Sequence, residues 1–382
     1  MKVLQITNII SHHQLPLARC LAAALGSDNF RFAATELPSF ERIRLGYNSE
    51  SDESWVLCPA TNPRDRVEYQ DWWKKADVVL CGNRSIDIFR ERINAGKPVF
   101  YMSERWWKPP LGRARMLHPR FLRMALDFRA LAASPLFHYL AVGGYAADDM
   151  RHVAPMPGRV WQWGYFTPEA IGPIRPYIIR SEFNVLWAGR MLKWKKIDTL
   201  IRAFACLKED GNVPQLTLIG YGPCEVPLRR LAADLGIGRN VMFLQSIPAA
   251  DVRAWMGRSD VYVLPSNGYE GWGAVINEAM SEGCAVVASE VAGAAKTLIR
   301  SGENGYLFHV GDWRNLAGIL KCLRDQPDQR KKIADAGRRL VTEVWSPRNA
   351  AERFLKMCDA ILSKNSPPNY ATGPMSAATG SQ

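Results

Sequence analysis

Short apolar runs alternate with amphipathic stretches through most of the chain, a pattern that predicts parallel sheets covered by helices on both faces. In the first half the predicted strands are KVLQITNI, DVVLCG, KPVFYMSE and YLAVGG. In the second half FNVLWAG, QLTLIG, NVMFLQ, DVYVLPS and CAVVASE repeat the pattern, each followed by turn residues and a helical stretch. The expected fold class is therefore α/β, with two doubly wound parallel-sheet domains.

The length of the chain and its turn residues predict where these domains meet. At 382 residues the chain exceeds the size at which one hydrophobic core stops growing. Gly and Pro residues break regular structure between Trp163 and Ser181. We expect a first Rossmann-like domain over residues 1–165, a second over 166–345, a helix over 346–364 that packs back on the first domain, and a polar, proline-rich, disordered tail over 365–382.

Composition and charge narrow the class of protein. Hydrophobic residues make up 47% of the chain and charged residues 23%, which excludes disordered, collagen-like and fibrous proteins. The excess of 49 Lys and Arg over 37 Asp and Glu favours phosphate-bearing partners: nucleotides, anionic membranes or nucleic acid. The eight cysteines contain no close pair typical of zinc or redox sites, and we expect reduced, mostly buried thiols. No apolar run spans a bilayer and the first residues resemble a buried strand rather than a signal peptide, so a cytoplasmic location is expected.

The strongest functional signal is PSNGYEGWGAVINEAMSEG, over residues 265–283. A Gly-flanked loop carries Glu270, and a helix is predicted to begin near Gly273. Backbone N–H groups at such a helix start lack intrahelical partners and attract a diphosphate, which Gly271 and Gly273 leave room to approach. Glu278, further along the helix, is placed to accept hydrogen bonds from ribose hydroxyls. The alternative is a glycine-rich turn with a solvated or capping glutamate.

A second signal is WAGRMLKWKK, which places Arg190 and Lys195 in a turn directly after a buried strand. Open parallel sheets bind ligands at the carboxyl ends of their strands. Two positive charges at that point would neutralise a departing diphosphate. Alternatively, these residues form a solvated basic turn together with Lys193 and Lys196.

A third and weaker signal is LIGYGP, in which Gly220 and Gly222 let the backbone bend tightly after a strand. The next strand ends in QSIP, and a nucleobase could rest against the backbone near Ser246 and Ile247.

These motifs resemble those of glycosyltransferase family 4, whose members are retaining enzymes of the GT-B fold, with two Rossmann-like domains facing a cleft. GRMLKWKK, LIGYGP and above all the pair Glu270 and Glu278, with seven residues between them, carry the resemblance. It extends over residues 180–350, whereas the first half is similar only in the order of its strands and helices. The implied activity is transfer of a sugar from a nucleoside-diphosphate-sugar to a glycan or lipid-linked acceptor, as in surface polysaccharide synthesis.

The resemblance also implies roles for single residues. Arg190 and Lys195 would hold the donor diphosphate, and Glu270 the transferred sugar and its adjacent phosphate. Glu278 would hold the ribose. The amides around Gly271, Trp272 and Gly273 would complete the phosphate cradle. Gly189, Gly220 and Gly222 are the further glycines of the donor site.

The resemblance further implies catalysis without a metal or other cofactor. The chain agrees independently, since it has no Asp-x-Asp pair of the kind that holds a nucleotide-bound divalent ion. Retention of configuration would follow if the acceptor attacks from the face that the diphosphate leaves, with the leaving phosphate accepting the proton.

The chain departs from the family pattern at three places. His12 and His13 occupy the loop after the first strand, where the family commonly has paired glycines and where the fold faces the cleft. Two roles stay open for them: binding an acceptor or assisting proton transfer, or capping the helix that starts near Leu15. Glu104 is a further acceptor-side candidate, at a strand end where the family often has histidine. Lys296 replaces a frequent glutamate near the donor sugar.

A basic and aromatic stretch from Tyr101 to Ala130, which includes RWWKPPLGRARMLHPRFLRMALDFRA, holds seven basic residues against Glu104 and Asp127. Its apolar residues recur at helical spacing. Trp106, Trp107 and this helix could meet the headgroups of an anionic membrane. Alternatively, the apolar stripe packs on the sheet. The stripe consists of Leu117, Phe121, Met124, Phe128 and Leu131, and the arginines beside it are Arg113, Arg115, Arg120, Arg123 and Arg129.

Other functions remain open at the level of sequence. A nucleotide-sugar epimerase or hydrolase of the same architecture would consume the donor without a glycan acceptor. A non-catalytic nucleotide-sugar-binding protein is disfavoured by the retained charges of Arg190, Lys195, Glu270 and Glu278. No recognition motif in the sequence supports nucleic-acid binding, and we expect no nucleic-acid partner.

Overall fold

The chain forms two compact units in a computed structural model that describes residues 1–39, 42–43, 51–82, 87–168, 183–208 and 214–378. One unit comprises Met1–Pro168 together with Val344–Gln382, and the other comprises Glu169–Glu343. The division falls in the stretch from Trp163 to Ser181, of which residues 169–181 lie outside the described part.

Seven parallel strands form the sheet of the first unit, in the order β3-β2-β1-β4-β5-β6-β7. The central strand β1 is buried along its whole length, as expected of a parallel strand covered on both faces. The strands are β1 (Val3–Thr7), β2 (Phe30–Ala34), β3 (Val56–Leu57), β4 (Val78–Cys81), β5 (Val99–Ser103), β6 (Phe137–Val142) and β7 (Val160–Trp163). The helices are α1 (Leu15–Leu25), α2 (Pro63–Lys75), α3 (Asp87–Asn94), α4 (Pro119–Ala132) and α5 (Ala146–Val153).

Helix α4 carries the second half of the basic stretch. Only part of the predicted apolar stripe packs on the sheet, and the two tryptophans do not lie at the surface. Phe128 and Leu131 are buried against the sheet, but Leu117 precedes the helix and is 87% exposed. Trp106 and Trp107 cannot meet a membrane, because both are buried and their backbone N–H groups donate to the Asp149 carboxylate at 2.7 and 3.0 Å.

Six parallel strands form the sheet of the second unit, in the order β10-β9-β8-β11-β12-β13. An ion pair of 3.2 Å between Asp260 and Arg330 is buried in this unit. The strands are β8 (Asn184–Ala188), β9 (Gln215–Ile219), β10 (Val241–Leu244), β11 (Val261–Leu264), β12 (Ala285–Ser289) and β13 (Tyr306–Phe308). The helices are α6 (Ile197–Ala205), α7 (Glu225–Asp234), α8 (Ala249–Met256), α9 (Val275–Ser281), α10 (Gly293–Leu298), α11 (Trp313–Asp325) and α12 (Pro327–Arg339).

The chain then returns to the first unit through helix α13 (Pro347–Leu362), which packs against α1. The hydroxyl of Ser346 caps this helix by accepting a hydrogen bond from the Asn349 N–H group. The ring of Phe354 meets that of Phe100 edge-on at 5.0 Å. Aromatic contacts therefore join this helix to the sheet of the first unit.

The tail after α13 is ordered where disorder was expected. The N–H group of Met375 donates to the Gln162 carbonyl at 2.9 Å, and the N–H group of Gln162 donates to the Ser376 carbonyl at 2.8 Å. The segment thus runs antiparallel beside β7, and the Met375 side chain is fully buried. Composition predicted disorder, but the open backbone groups of an edge strand accept a partner strand. The expectation is wrong for residues 373–378, and residues 379–382 lie outside the described part.

No helix among the described residues combines the length and apolar character that crossing a membrane requires. The eight cysteines form no disulfide. Only Cys81, Cys284 and Cys358 are buried, so the expectation of mostly buried thiols is wrong.

Candidate active site

An ion pair joins the two charged motifs of the second unit. Nζ of Lys195 lies 2.6 Å from Oε2 of Glu270, and the two side chains are only 15% and 13% exposed. Lys195 lies in a short 3-10 turn after β8, and Glu270 lies in the loop after β11. Because β8 and β11 pair in parallel, their carboxyl ends lie side by side and residues 75 positions apart meet.

Trp194 ties the same two loops together, a role that the sequence did not indicate. Its carbonyl accepts a hydrogen bond from the Asn267 N–H group at 2.9 Å. Nζ of Lys195 lies 4.4 Å from the centroid of the Trp194 ring, within cation–π range. The centroid of the Tyr269 ring lies 6.3 Å from that of the Trp194 ring. The Lys195 ammonium is therefore held between a carboxylate and an aromatic face.

Glu278 is buried in helix α9, with 5% of its surface exposed. Burial raises its pKa to about 7; the charge of Arg253 opposes this rise and that of Glu282 adds to it. Arg253 and Glu282 themselves form an ion pair of 2.6 Å. Glu278 is thus poised to change its charge near neutral pH.

The hydroxyl of Tyr262 lies at the end of β8, where the charges of both glutamates influence it. It donates a hydrogen bond to the Ala188 carbonyl at 3.1 Å. Its pKa is raised, first by burial and further by the charges of Glu278 and Glu270. One hydroxyl therefore lies within electrostatic range of both carboxylates. Arg190 follows two positions after Ala188, at the same strand end, and its side chain is exposed.

Glycines pack the carboxyl ends of β8 and β9 against each other. A Cβ atom on Gly220, whose φ is +135°, would lie 1.9 Å from the carbonyl oxygen of Gly189. A Cβ atom on Gly222 would lie 2.6 Å from the carbonyl oxygen of Met191. These glycines are thus required for backbone packing, whatever they bind. Ser246 and Ile247 lie half-buried after β10, the strand next to β9.

The loop that carries Glu270 ends two residues later than the sequence predicts. The helix begins at Val275 rather than near Gly273, because Gly273 has φ of +89°, which no helix accommodates. The indole of Trp272 is buried and donates to Oδ1 of Asn277 at 2.9 Å, so its side chain is not available to a ligand. The Trp272 carbonyl accepts from the Ala294 N–H group at 2.8 Å, which brings the helix that carries Lys296 against this loop.

The first unit has its own polar cavity, of about 440 Å³. Glu104 lines it, and its carboxylate accepts hydrogen bonds from Nζ of Lys108 at 3.1 Å and from the hydroxyl of Tyr165 at 3.3 Å. Other polar groups lining it belong to Thr7, Asn8, Ser11, His13, Gln14, Arg42, Tyr101, Ser103 and Tyr165. The cavity thus offers many hydrogen-bonding groups, one carboxylate and one guanidinium.

The histidine pair does not cap helix α1, so that alternative is wrong. Gln14 occupies the cap position and no side chain there makes a capping hydrogen bond. The ring of His13 stacks near Tyr165, with centroids 6.4 Å apart, and lies 3.9 Å from the ring of His12. Burial and then the nearby His12 lower the pKa of His13 well below its usual value. His13 is therefore neutral at physiological pH.

Solved structures of other proteins resemble this chain over almost its whole length. The structure of HepE from Anabaena in complex with UDP superimposes with a TM-score of 0.67, covering 94% of this chain and all of that chain at 17% identity. A sucrose-phosphate synthase from Thermosynechococcus elongatus gives a TM-score of 0.66 at 17% identity, with 96% of this chain and all of that chain covered. The fold class expected from the sequence, GT-B with two Rossmann-like parallel-sheet domains, is confirmed.

The match to a sequence family covers less of the chain than the structural matches do. Residues 178–340 match the family model described as Glycosyl transferases group 1. A D-inositol 3-phosphate glycosyltransferase of Thermomonospora curvata is 33% identical over 164 residues, which are 41% of this chain and 38% of that protein. A GDP-mannose-dependent mannosyltransferase of Mycolicibacterium smegmatis that acts on a phosphatidylinositol monomannoside is 29% identical over 45% of this chain and 47% of its own length. The chain thus spans less than half of these curated relatives.

Burial of Glu278 has a measurable consequence for stability. Its folded-state pKa of about 7 exceeds the ordinary value of 4.5, so the folded protein binds its proton more tightly than the unfolded chain. Its contribution to stability is therefore full below about pH 4.5 and is lost as the pH rises to 7. We expect Glu278→Gln to raise the melting temperature at pH 8 and to have little effect at pH 5. Thermal unfolding at both pH values tests this, and an equal effect at both would contradict it.

Proposed function

We propose that this chain is a retaining, metal-independent glycosyltransferase of family 4, which transfers a sugar from a nucleoside-diphosphate-sugar to a glycan or lipid-linked acceptor in surface polysaccharide synthesis. The observation that carries the proposal is the sheltered ion pair between Lys195 and Glu270, with Glu278 buried nearby. The match of residues 178–340 to a glycosyltransferase family supports it.

Lys195 is suited to bind the donor diphosphate. An ammonium group has three donors, and Glu270 takes one of them. The remaining donors can bind phosphate oxygens, and Arg190 adds a second positive charge at the same strand end. These charges stabilise the diphosphate as it leaves, which is where negative charge develops in the reaction.

Glu270 and Glu278 bind different parts of the donor in this proposal. Glu270 accepts hydrogen bonds from the transferred sugar, and Glu278 accepts them from the ribose. The backbone around Gly271 and Gly273 meets the phosphates, and the nucleobase lies against the loop at Ser246 and Ile247. The acceptor attacks from the face that the diphosphate leaves, and the leaving phosphate takes its proton.

We assign the acceptor to the polar cavity of the first unit. Glu104 and Tyr165 would bind acceptor hydroxyls there, as befits a sugar. His13, being neutral, serves as a hydrogen-bonding group rather than as a cationic acid.

A thermal-shift screen against UDP-, GDP-, ADP- and CMP-sugars tests the proposal. A donor present at about 100 times its Kd stabilises the folded protein by about 2.7 kcal/mol and raises its melting temperature by several degrees. The sugar that binds is then incubated with glycan and lipid-linked acceptors, with and without EDTA. We expect acceptor-dependent transfer that EDTA does not reduce. Donor consumption that ignores every acceptor would instead indicate a hydrolase or epimerase.

Trp194→Ala is expected to lower transfer about tenfold, because the Lys195 ammonium loses its aromatic contact, which is worth about 1–2 kcal/mol. Trp194→Phe keeps an aromatic face and should retain most of the activity. Steady-state kinetics of both variants measure this. Equal losses in the alanine and phenylalanine variants would show that the cation–π contact is not the cause.

A further inference from the structure

The side chain of Gln14 has a buried oxygen that the folded chain does not satisfy. Gln14 lines the polar cavity of the first unit. Its Oε1 atom is buried, and no described residue donates a hydrogen bond to it. A buried carbonyl oxygen without a donor is unfavourable for folding, because the oxygen gives up its hydrogen bonds to water and gains none in return. This oxygen therefore needs a donor from outside the chain.

Helix α1 does not use the Gln14 side chain either. Gln14 lies directly before the helix, where Asn, Asp, Ser and Thr are preferred because their short side chains reach the free N–H groups. Within the described part of the chain, Gln14 makes no such capping hydrogen bond. Its backbone, by contrast, is well fixed. Its N–H group donates to the Ser11 carbonyl at 2.9 Å, and its carbonyl accepts from the Ala18 N–H group at 3.1 Å. A fixed backbone thus holds a side chain that stabilises neither the core nor the helix.

The polar groups of the cavity suit a ligand that donates hydrogen bonds. The Glu104 carboxylate accepts from Lys108 and Tyr165, but a carboxylate has about four acceptor positions and can take further donors. A phosphate or carboxylate ligand would suit the guanidinium of Arg42, which also lines the cavity. Such a ligand has no hydrogen to donate to Oε1 of Gln14. A sugar ring carries several hydroxyls, each of which can donate and accept.

We propose that Gln14 is a recognition residue for the acceptor, and that its Oε1 accepts a hydrogen bond from a ring hydroxyl of a sugar bound in the polar cavity. Nε2 of the same amide donates to a neighbouring hydroxyl. The inference rests on the proposed function, which assigns the acceptor to this cavity, and it adds the residue that selects a hydroxylated ring there. A side chain that is unfavourable for folding is typical of a position that serves binding.

Titration of the full chain with methyl glycosides tests this role without a nucleotide-sugar. The methyl glycosides of glucose, galactose, mannose and N-acetylglucosamine serve as probes, and saturation-transfer NMR gives their Kd values. Gln14→Met keeps the length of the side chain and removes its polar atoms, and it should weaken the best-bound glycoside about tenfold. Gln14→Glu keeps an accepting oxygen and should lose less affinity. Gln70→Met replaces an exposed glutamine on α2 and should bind like the wild type.

Deoxy analogues of the best-bound glycoside identify the hydroxyl that Gln14 recognises. One of them should bind the wild type about tenfold more weakly than its parent, because it lacks the hydroxyl that donates to Oε1. The same analogue should bind Gln14→Met as well as the parent does, since the variant has already lost that hydrogen bond. Equal losses in both proteins for every analogue would contradict the pairing.

Melting curves separate recognition from a structural role. Gln14→Met should melt at or above the wild-type temperature, because it removes a buried oxygen that lacks a donor. The proposal is overturned if the wild type binds none of the four glycosides, or if Gln14→Met binds them undiminished or melts well below the wild type. Glycoside binding without any transfer from a nucleotide-sugar would contradict the proposed function and support the role of Gln14. Transfer with the same acceptor KM in the wild type and Gln14→Met would do the reverse.

Discussion

Lys195→Ala is expected to reduce sugar transfer by about a thousandfold, the largest effect of any single substitution in the proposed site. The variant removes the cation that faces the leaving diphosphate in a sheltered position, where one such interaction is worth about 3–4 kcal/mol in the transition state. Glu270→Gln should cause a comparable loss, since it removes the charge that orients the lysine and keeps the shape of the side chain.

Lys193→Ala is the matched control for this prediction. Lys193 lies in the same 3-10 turn, two positions before Lys195, but its side chain is exposed. Its removal should leave transfer within about twofold of wild type, as expected for an exposed charge. The rates are measured with the donor found by the thermal-shift screen, beside melting curves of all three variants. Wild-type transfer by Lys195→Ala would refute the assignment of the site.

Gly220→Ala is expected to lower the free energy of unfolding of the second unit by about 4 kcal/mol or more. The added Cβ would lie 1.9 Å from the carbonyl oxygen of Gly189, closer than any non-bonded contact, and that oxygen belongs to the backbone at the end of the neighbouring strand. Neither strand can move without breaking the sheet, and the φ of +135° adds strain to any side chain.

Gly318→Ala is the control for this substitution. Gly318 lies on the exposed face of α11, and a Cβ there would meet nothing within 4 Å. Alanine at this position should stabilise the helix by up to about 1 kcal/mol. Urea unfolding followed by circular dichroism compares the two variants. A Gly220→Ala protein as stable as the wild type would mean that β8 and β9 do not approach as closely as described.

The sequence predicts nine of the thirteen strands that the structure describes. Every apolar run singled out along the chain is a strand of one of the two sheets. The missed strands lack that signal for physical reasons. β2 carries Arg31 as its second residue, β3 and β13 have only two and three residues, and β7 alternates half-buried with buried residues. Such strands depend on their neighbours in the sheet more than on their own apolar content.

A residue of the candidate site can be predicted from the sequence where a local motif contains it. Lys195 and Glu270 could be singled out because each lies in a loop after a predicted strand, and Glu278 because it lies in the predicted helix that follows the Glu270 loop. Trp194 could not be found, since its role comes from Asn267 and Tyr269, which lie more than 70 residues away. The tail at Met375 was missed for the same reason: its partner is a distant edge strand, and its own composition resembles a linker.

The discontinuous make-up of the first unit decides how the protein can be divided for recombinant work. A fragment that ends at Pro168 would leave α1 without the helix that covers it and β7 without the segment at Ser376. Such a truncation should aggregate, whereas residues 183–343 form a continuous piece that suits separate expression and nucleotide titration. Affinity tags belong after Ala378, because a shorter chain would expose the free edge of a sheet to unwanted pairing.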